Sequence, residues 1–313
     1  MEKGNYTVVT EFFLVGFSNY PGLQTLLYVV CLLMYLVILL GNSILLIISM
    51  LDPRLHTPMY FFLGNLSFLD ICYTSSSIPQ MLVNFTSERK SITFIGCALQ
   101  LVISLGLGST ECVLLAVMAF DRYVAICNPL RYTIIMNKGL CVQMAVWTWI
   151  LGFLNSLTQS VFALIMPFCE NIIDHLACEI LAILKVICVD ISFNVLIMII
   201  ASIVILITPL LLIFFSYVFI LSTILRINST EGRKKAFSTC SAHLTVVILF
   251  YGSALFMYMK PKSKDTKLFD EIFGLSYWVV TPMLNPIIYS LRNKEVKEGV
   301  KKVLIRNLYL RKM

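Results

Sequence analysis

Charged residues are scarce in this chain: they make up 13% of its 313 residues, whereas soluble domains carry about 25%. Hydrophobic residues account for 59%, and seven apolar stretches reach the length of about 20 residues that a membrane-spanning helix needs. This balance excludes an ordinary soluble domain and predicts an all-α membrane protein with a seven-helix bundle. The seven stretches are residues 23–51, 58–83, 92–120, 140–166, 192–225, 236–259 and 271–291.

Ionisable side chains are almost missing from these stretches, and the exceptions are informative. Asp70 and Glu111 lie about 18 and 16 Å from the Arg122 end of the bundle, counted at about 1.5 Å per residue. Because no Lys or Arg shares that depth, protons or a cation must compensate the two acids. Both interpretations stay open: a bound cation, or protonated acids that form hydrogen bonds with Asn42, Ser67 or Asn285.

Other absences narrow the function. The seventh stretch has no lysine, so it cannot form the Schiff base of a light receptor. The chain lacks the inverted repeats of a transporter, and Asp70 with Glu111 is a weak candidate for a catalytic pair, so no enzyme is expected. A signalling receptor is favoured, and a peptide receptor remains the closest alternative.

Basic residues predict the orientation. With the N-terminus outside, 8 of the 24 Lys and Arg residues face outward and the remaining 16 face inward, as the positive-inside rule requires. Asn5 heads a glycosylation sequon on the same outer segment, and no cleavable signal peptide is expected. We therefore predict an extracellular segment (1–22), a membrane domain (23–291) and a cytoplasmic interfacial helix and tail (292–313), in which valines alternate with basic residues at helical spacing and suit a lipid surface.

The third stretch closes on Asp121, Arg122 and Tyr123. A bare triplet of this kind fits an ordinary ion pair at a helix end as well as a receptor latch that opens for a partner. The triplet is accompanied here by landmarks in the expected order: Asn42, Asp70, Trp149, Pro209, Tyr217 and the run NPIIY at 285–289. Together they resemble a rhodopsin-like G-protein-coupled receptor.

A narrower pattern is similar to the vertebrate olfactory receptors. It consists of PMYFFL at 58–63, MAFDRYVAICNPL at 118–130, KAFSTCSAH at 235–243 and PMLNP at 282–286. The resemblance implies a plasma-membrane receptor that binds volatile small molecules and activates a stimulatory G protein, which raises cyclic AMP. It implies no cofactor other than a possible sodium ion at Asp70 and Glu111, and it assigns coupling to Asp121, Arg122, Tyr123, Tyr217 and Tyr289. His243, about two turns inside the cytoplasmic end of the sixth stretch, is either a structural hydrogen-bond donor or a gating contact with the end of the third stretch that belongs to the coupling set.

Four cysteines lie on the predicted outer side, and we expect them to form disulfides because that surface matures in an oxidising compartment. Four cysteines allow three pairings, and the resemblance implies Cys97–Cys178 and Cys169–Cys188. The segment 175–179 also contains groups that bind metals, but a cysteine held in a disulfide cannot serve as a ligand. No metal other than sodium is expected.

The outer half of the third stretch predicts a ligand pocket. Ser104, Leu105, Gly108 and Ser109 share one helical face, although small residues also serve plain helix packing. No acid lies on this face to anchor an amine, so a small, neutral and mostly apolar ligand is expected. The facing residues are predicted to be Met198, Ala201, Ser202, Ile205, Tyr251, Ala254, Leu255, Tyr258, Leu275 and Trp278.

Overall fold

The computed structural model describes residues 9–259, residues 267–292 and Val296. Long helices dominate this part of the chain, and they follow the predicted stretches closely. The predicted C-terminal interfacial helix lies outside the described residues except for Val296. The long helices are α1 (Pro21–Leu51), α2 (Pro58–Thr86), α3 (Phe94–Cys127), α4 (Lys138–Leu164), α5 (Ser192–Leu225), α6 (Thr230–Met259) and α7 (Lys267–Arg292).

Five of these helices are long and apolar enough to cross a membrane within the described residues: α1, α3, α4, α5 and α6. Helix α2 is more polar, and it turns Asp70 and Asn84 toward the interior, where both are buried. Helix α7 contains a shorter apolar segment, Val279–Tyr289. The all-α membrane class is therefore confirmed, and the number of seven spans remains a prediction.

The helices begin where the sequence supplies suitable residues. Pro21 and Pro58 open α1 and α2, at the position where a missing N–H costs nothing. The side chain of Thr93 accepts a hydrogen bond from Gly96 N at 3.1 Å, and Asn137 accepts one from Leu140 N at 2.9 Å. These caps satisfy backbone donors at the starts of α3 and α4.

Helix α3 is central and packs against α2, α4, α5 and α6. Its approach to α4 is close at Gly152, where an added Cβ would lie 2.1 Å from Thr110 Oγ1 and 2.7 Å from Thr110 N. Only glycine allows the two backbones to approach this closely. Large apolar side chains on the outer helices, including Leu33, Trp147 and Phe214, are exposed, as expected for surfaces that face lipid.

One end of the bundle carries both disulfides that the resemblance implies, Cys97–Cys178 and Cys169–Cys188. We call it the disulfide end. A small sheet lies there: β1 (Glu11–Leu14) pairs antiparallel with β2 (Ser91–Thr93) and parallel with β3 (Ile172–Ile173). The N-terminal segment is thus built into the fold, with Phe12 fully buried.

Polar side chains hold this segment as well. Arg89 forms an ion pair with Glu11, and Lys90 Nζ donates hydrogen bonds to Ser18 Oγ at 3.1 Å and to Gln24 Oε1 at 2.9 Å. Partial burial lowers the pKa of Lys90. The segment therefore connects the loop before α3 to the start of α1.

Candidate functional site

Asp70 and Glu111 meet in the middle of the bundle. Their side chains are 0% and 3% exposed, and they are close enough to interact electrostatically. Asn285 Nδ2 donates a hydrogen bond to Asp70 Oδ2 at 2.9 Å. Of the three predicted partners, Asn285 is thus the one that contacts the acid, whereas Asn42 Nδ2 donates to the backbone oxygens of Ile38 and Pro282.

The same region holds oxygen atoms without a hydrogen-bond partner among the described residues. They are Asp70 Oδ1, Glu111 Oε1, Asn42 Oδ1 and Asn285 Oδ1, and all four are buried. Buried polar atoms normally find partners. Carboxylate and amide oxygens are the kinds of ligand that suit a hard cation.

Asp121 and Arg122 lie at the end of α3 opposite the disulfides, where they form an ion pair. The predicted span ends at residue 120, but α3 continues to Cys127 and buries the pair, leaving Asp121 1% and Arg122 7% exposed. Tyr132 makes this burial possible, because its hydroxyl donates a hydrogen bond to Asp121 Oδ1 at 2.7 Å. Burial and the charge of Asp121 raise the pKa of Tyr132.

His243 on α6 connects three helices. Its Nε2 lies 3.2 Å from the carbonyl oxygen of Leu115 on α3, and its Nδ1 lies 2.7 Å from the hydroxyl of Tyr217 on α5. The other coupling candidates are nearby in the same core: Tyr289 is buried, with no hydrogen-bond partner for its hydroxyl among the described residues, and the ring of Tyr123 packs against Phe219.

Of the predicted ligand residues on α6, Tyr251 contacts α3, at Cys112. Tyr251 Oη donates a hydrogen bond to the carbonyl oxygen of Cys112 at 3.1 Å, and Ile205 of α5 is buried in the same core cluster. Ala254 is buried one turn beyond Tyr251. An added Cβ on Gly108 would have no heavy atom within 4 Å, so there is space beside α3 at this level.

The remaining candidates lie in varied places. Ser202 is exposed and donates to the carbonyl oxygen of Met198, so it does not line the interior. Leu275 packs with Phe17 and Ile78 on the side of α1 and α2. The half-buried candidates are Ser104, Leu105, Ala201, Leu255 and Met198, the last against the disulfide-end core. The side chains of Tyr258 and Trp278, like Asn5, are outside the described part.

The structure also places polar residues that the sequence reading did not single out. Asn155 Nδ2 of α4 donates a hydrogen bond to Ser109 Oγ at 2.8 Å, and Gln159 Nε2 donates to Asn155 Oδ1 at 3.1 Å. Both amides lie in an apolar helix at a spacing of four residues, which puts them on one face. Polar side chains within a membrane span cost free energy. Two amides in an otherwise apolar stretch could therefore have been recognised from the sequence as candidate site residues.

Comparison with known proteins identifies the family. A family model described as olfactory receptor matches residues 30–307. The chain belongs to the olfactory receptor family. It is 74% identical to human Olfactory receptor 13D1, over 100% of this chain and 91% of that protein. It is 61% identical to human Olfactory receptor 2K2, over 97% of this chain and 96% of that protein.

Membership of this family settles the class of the protein. This olfactory receptor is a multi-pass membrane protein and not an enzyme, and it functions as an odorant receptor with an odorant ligand and a G protein as partners in general terms. The family needs no cofactor.

Proposed function

We propose that this olfactory receptor is a seven-span, rhodopsin-like receptor of the plasma membrane, with residues 1–22 outside and 292–313 on the cytoplasmic lipid surface. In this proposal α2 and α7 complete the membrane domain of residues 23–291. A small, mostly apolar volatile ligand binds near the disulfide end. Binding activates a G protein of the stimulatory class and raises cyclic AMP.

The observation that carries the proposal is that α6 is attached to α3 at two levels. Tyr251 reaches Cys112 O at the level of the proposed pocket, and His243 reaches Leu115 O, which is three residues closer to Arg122 on α3. A ligand that displaces Tyr251 would also disturb the contact of His243 with Leu115, because Tyr251 and His243 lie eight residues, about 12 Å, apart on the same helix. The ligand signal and the coupling site therefore share one movable element.

The proposed lining combines the residues that the structure brings together with the half-buried ones beside them. Gly108 provides volume, Tyr251, Ser104 and Ser109 provide hydroxyls, and most of the other residues are apolar. Pockets of this composition suit small neutral ligands. The lining is Ser104, Leu105, Gly108, Ser109, Met198, Ala201, Ile205, Tyr251, Ala254 and Leu255, and Leu275, Tyr258 and Trp278 remain candidates from the sequence. Ser202 is left out because it is exposed.

The disulfide end favours a small ligand over a peptide. Its sheet joins the N-terminal segment to the loops on either side, and Phe12 packs in one cluster with Leu101 of α3 and Ile183 of the disulfide-linked loop. This cluster covers the first turns of α3. A volatile compound can pass such a cover or reach the site through lipid, whereas a peptide needs an open groove.

At the opposite end, the G protein is proposed to compete for Arg122. In the resting arrangement Arg122 is held by Asp121, and Asp121 is held by Tyr132. Asp121, Arg122, Tyr123, Tyr217, His243 and Tyr289 form the proposed coupling set. Tyr217 and His243 are close enough to Arg122 to interact with its charge, so the proposal couples the release of Arg122 to a movement of α6.

A sodium ion between Asp70 and Glu111 is proposed as a ligand of the resting state. The four buried oxygens without partners supply its donor set. The ion would provide the positive charge that compensates the two ionised acids inside the membrane. Because an ion shifts an equilibrium only by its differential affinity, it restrains activation only if the active packing binds it less well.

A cyclic-AMP reporter assay against a panel of volatile compounds tests the proposal. Cells that express the receptor at the surface should respond to at least one compound of low polarity, and cells that express the Arg122→Ala variant at equal surface density should not. A second reporter for calcium release distinguishes G-protein classes. A response confined to calcium, or a response that Arg122→Ala retains, would contradict the assignment.

A further inference from the structure

A row of amides, of which Gln159 and Asn194 are buried and Asn155 is half-buried, lies between Ser109 and the disulfide end of α5. Starting from α3, Ser109 Oγ accepts a hydrogen bond from Asn155 Nδ2 at 2.8 Å, and Asn155 Oδ1 accepts one from Gln159 Nε2 at 3.1 Å. Gln159 and Asn194 of α5 line a cavity of about 10 Å³ together with Ile180 and Leu184. The row thus extends over three helices.

The side-chain amide of Asn194 has one defined orientation. Its Nδ2 donates to the carbonyl oxygen of Phe162 at 2.9 Å, and a carbonyl oxygen can only accept. The amide is therefore oriented, and its Oδ1 is a buried acceptor without a hydrogen-bond partner among the described residues. Asn194 as a whole is 5% exposed.

The cavity between Asn194 and Gln159 has the size of one water molecule, for which about 10–15 Å³ is needed. Its polar walls call for a donor, because Asn194 offers the acceptor Oδ1, and Gln159 directs one of its two Nε2 hydrogens away from the cavity to Asn155. A water there can give one hydrogen to each of the two amide oxygens. Such a water keeps Gln159 Nε2 turned toward Asn155, and every bond in the row then donates in the direction of α3.

This direction of donation decides how the hydroxyl hydrogen of Ser109 can be used. A serine hydroxyl has one hydrogen to donate, and within the described residues Ser109 accepts from Asn155 and donates to none. Ser104, one turn away, is different because its hydrogen goes to the carbonyl oxygen of Gln100 at 2.7 Å. The hydrogen of Ser109 remains for a ligand beside Gly108, where there is space.

We propose that Asn155 is a positioning residue that turns the Ser109 hydroxyl into a hydrogen-bond donor, so that this receptor selects volatile ligands with an uncharged acceptor oxygen. Aldehydes, ketones and esters have this chemistry. The inference rests on the proposed function, because it assumes that Ser109 lines the ligand pocket. It adds the functional group that the pocket recognises and the residue that sets the recognition.

Matched ligand pairs test the inference. Each carbonyl agonist from the volatile panel is compared with its methylene isostere, in which C=CH2 replaces C=O at nearly unchanged shape and without an acceptor. The wild type should respond to the carbonyl compound at about a five- to tenfold lower concentration, the range that one net hydrogen bond supports. Ser109→Ala and Asn155→Leu should both bring this ratio close to one, chiefly by weakening the response to the carbonyl compound.

A control variant separates this role from general damage. The control is Thr158→Val, which changes an exposed hydroxyl of α4 that donates to Leu154 O and should keep the wild-type ratio, and surface staining of each variant measures the amount of receptor. The inference is wrong if the wild-type ratio is near one, or if Ser109→Ala keeps the wild-type ratio. If Ser109→Ala brings the ratio to one but Asn155→Leu does not, Asn155 has no role in ligand selection. Ser109→Ala alone decides the ligand class if Asn155→Leu does not reach the surface. A receptor that responds to no volatile compound at all instead refutes the proposed function.

Discussion

His243 Nε2 lies 3.2 Å from the backbone oxygen of Leu115, and this contact assigns the proton on the imidazole. The carbonyl can only accept, so Nε2 carries a hydrogen. Nδ1 lies 2.7 Å from the hydroxyl of Tyr217, which also lies 3.3 Å from the carbonyl oxygen of Cys240. His243 is 2% exposed. It thus joins α3, α5 and α6 about two helical turns from Arg122.

Replacing this histidine should weaken the resting state. In His243→Leu the side chain keeps an apolar volume but loses both hydrogen bonds, each of which contributes about 0.5–1.5 kcal/mol. We expect basal cyclic AMP to rise several-fold at equal surface density, since α6 is then less firmly attached to α3. His56→Leu is the control, because His56 is an exposed loop residue. Unchanged basal signalling in His243→Leu would show that the contact is structural only.

The ion pair of α3 yields a second prediction. Tyr132→Phe removes the hydroxyl that holds Asp121 and leaves the ring in place, so basal cyclic AMP should rise while the agonist response is kept. Arg122→Ala should reach the surface and lose the agonist response, because the proposed G-protein contact is gone. Arg54→Ala is the matched control, since Arg54 pairs with Asp52 in a separate loop. A normal agonist response in Arg122→Ala at equal surface density would remove Arg122 from the coupling set.

The disulfides yield a third prediction. Cys97→Ser should prevent surface expression, because Cys97–Cys178 ties the loop to α3 inside a buried cluster and losing a native disulfide of this kind typically costs about 2–5 kcal/mol. Cys178→Ser should have the same effect, and the double variant should be no worse than either single one. Cys72→Ser is the control, because Cys72 is free and half-buried. Surface staining without permeabilisation measures the outcome, and normal staining of Cys97→Ser would contradict the prediction.

Much of this architecture could be predicted because it depends on long apolar runs. The helices α1 to α7 lie where the seven stretches were expected, and Asp70 and Glu111 are buried together as their shared depth indicated. Hydrophobic length and the cost of buried charge are properties of single segments. They can be evaluated without knowing how the helices pack.

Features that depend on packing could not be predicted in this way. The strands β1 and β3 have four and two residues and exist only because they pair across the chain. Ser202 was expected on the same face as Ile205, but the segment Ile203–Ile207 is a π-helix, in which residues three apart no longer share a face. Ile205 is consequently buried while Ser202 is exposed. The burial of Asp121 likewise depends on Tyr132, which no helical periodicity connects with it.

The acids in the middle of the bundle yield the last prediction. If sodium occupies the oxygens around Asp70 and Glu111, the purified receptor should gain thermal stability as sodium replaces potassium at fixed ionic strength, by RT ln(1 + [Na⁺]/Kd) for a single site. Asp70→Asn should abolish this gain, because it removes one negative charge of the donor set and replaces one carboxylate oxygen beside Asn285 by an NH2 group. Glu111→Gln should abolish it as well.

Protonated acids would behave differently, and the same titration distinguishes them. Glu111→Gln would then exchange one neutral group for another of similar shape and leave the melting temperature nearly unchanged, whereas Asp70→Asn would still disturb the contact with Asn285. Thr74→Val serves as the control, since Thr74 is buried one turn from Asp70 and its hydroxyl donates to the backbone oxygen of Asp70. It should lower the melting temperature without changing the dependence on sodium. A wild-type melting curve that is the same in sodium and in potassium would remove the ion, and Asp70 and Glu111 would then be protonated groups that hold α2, α3 and α7 together.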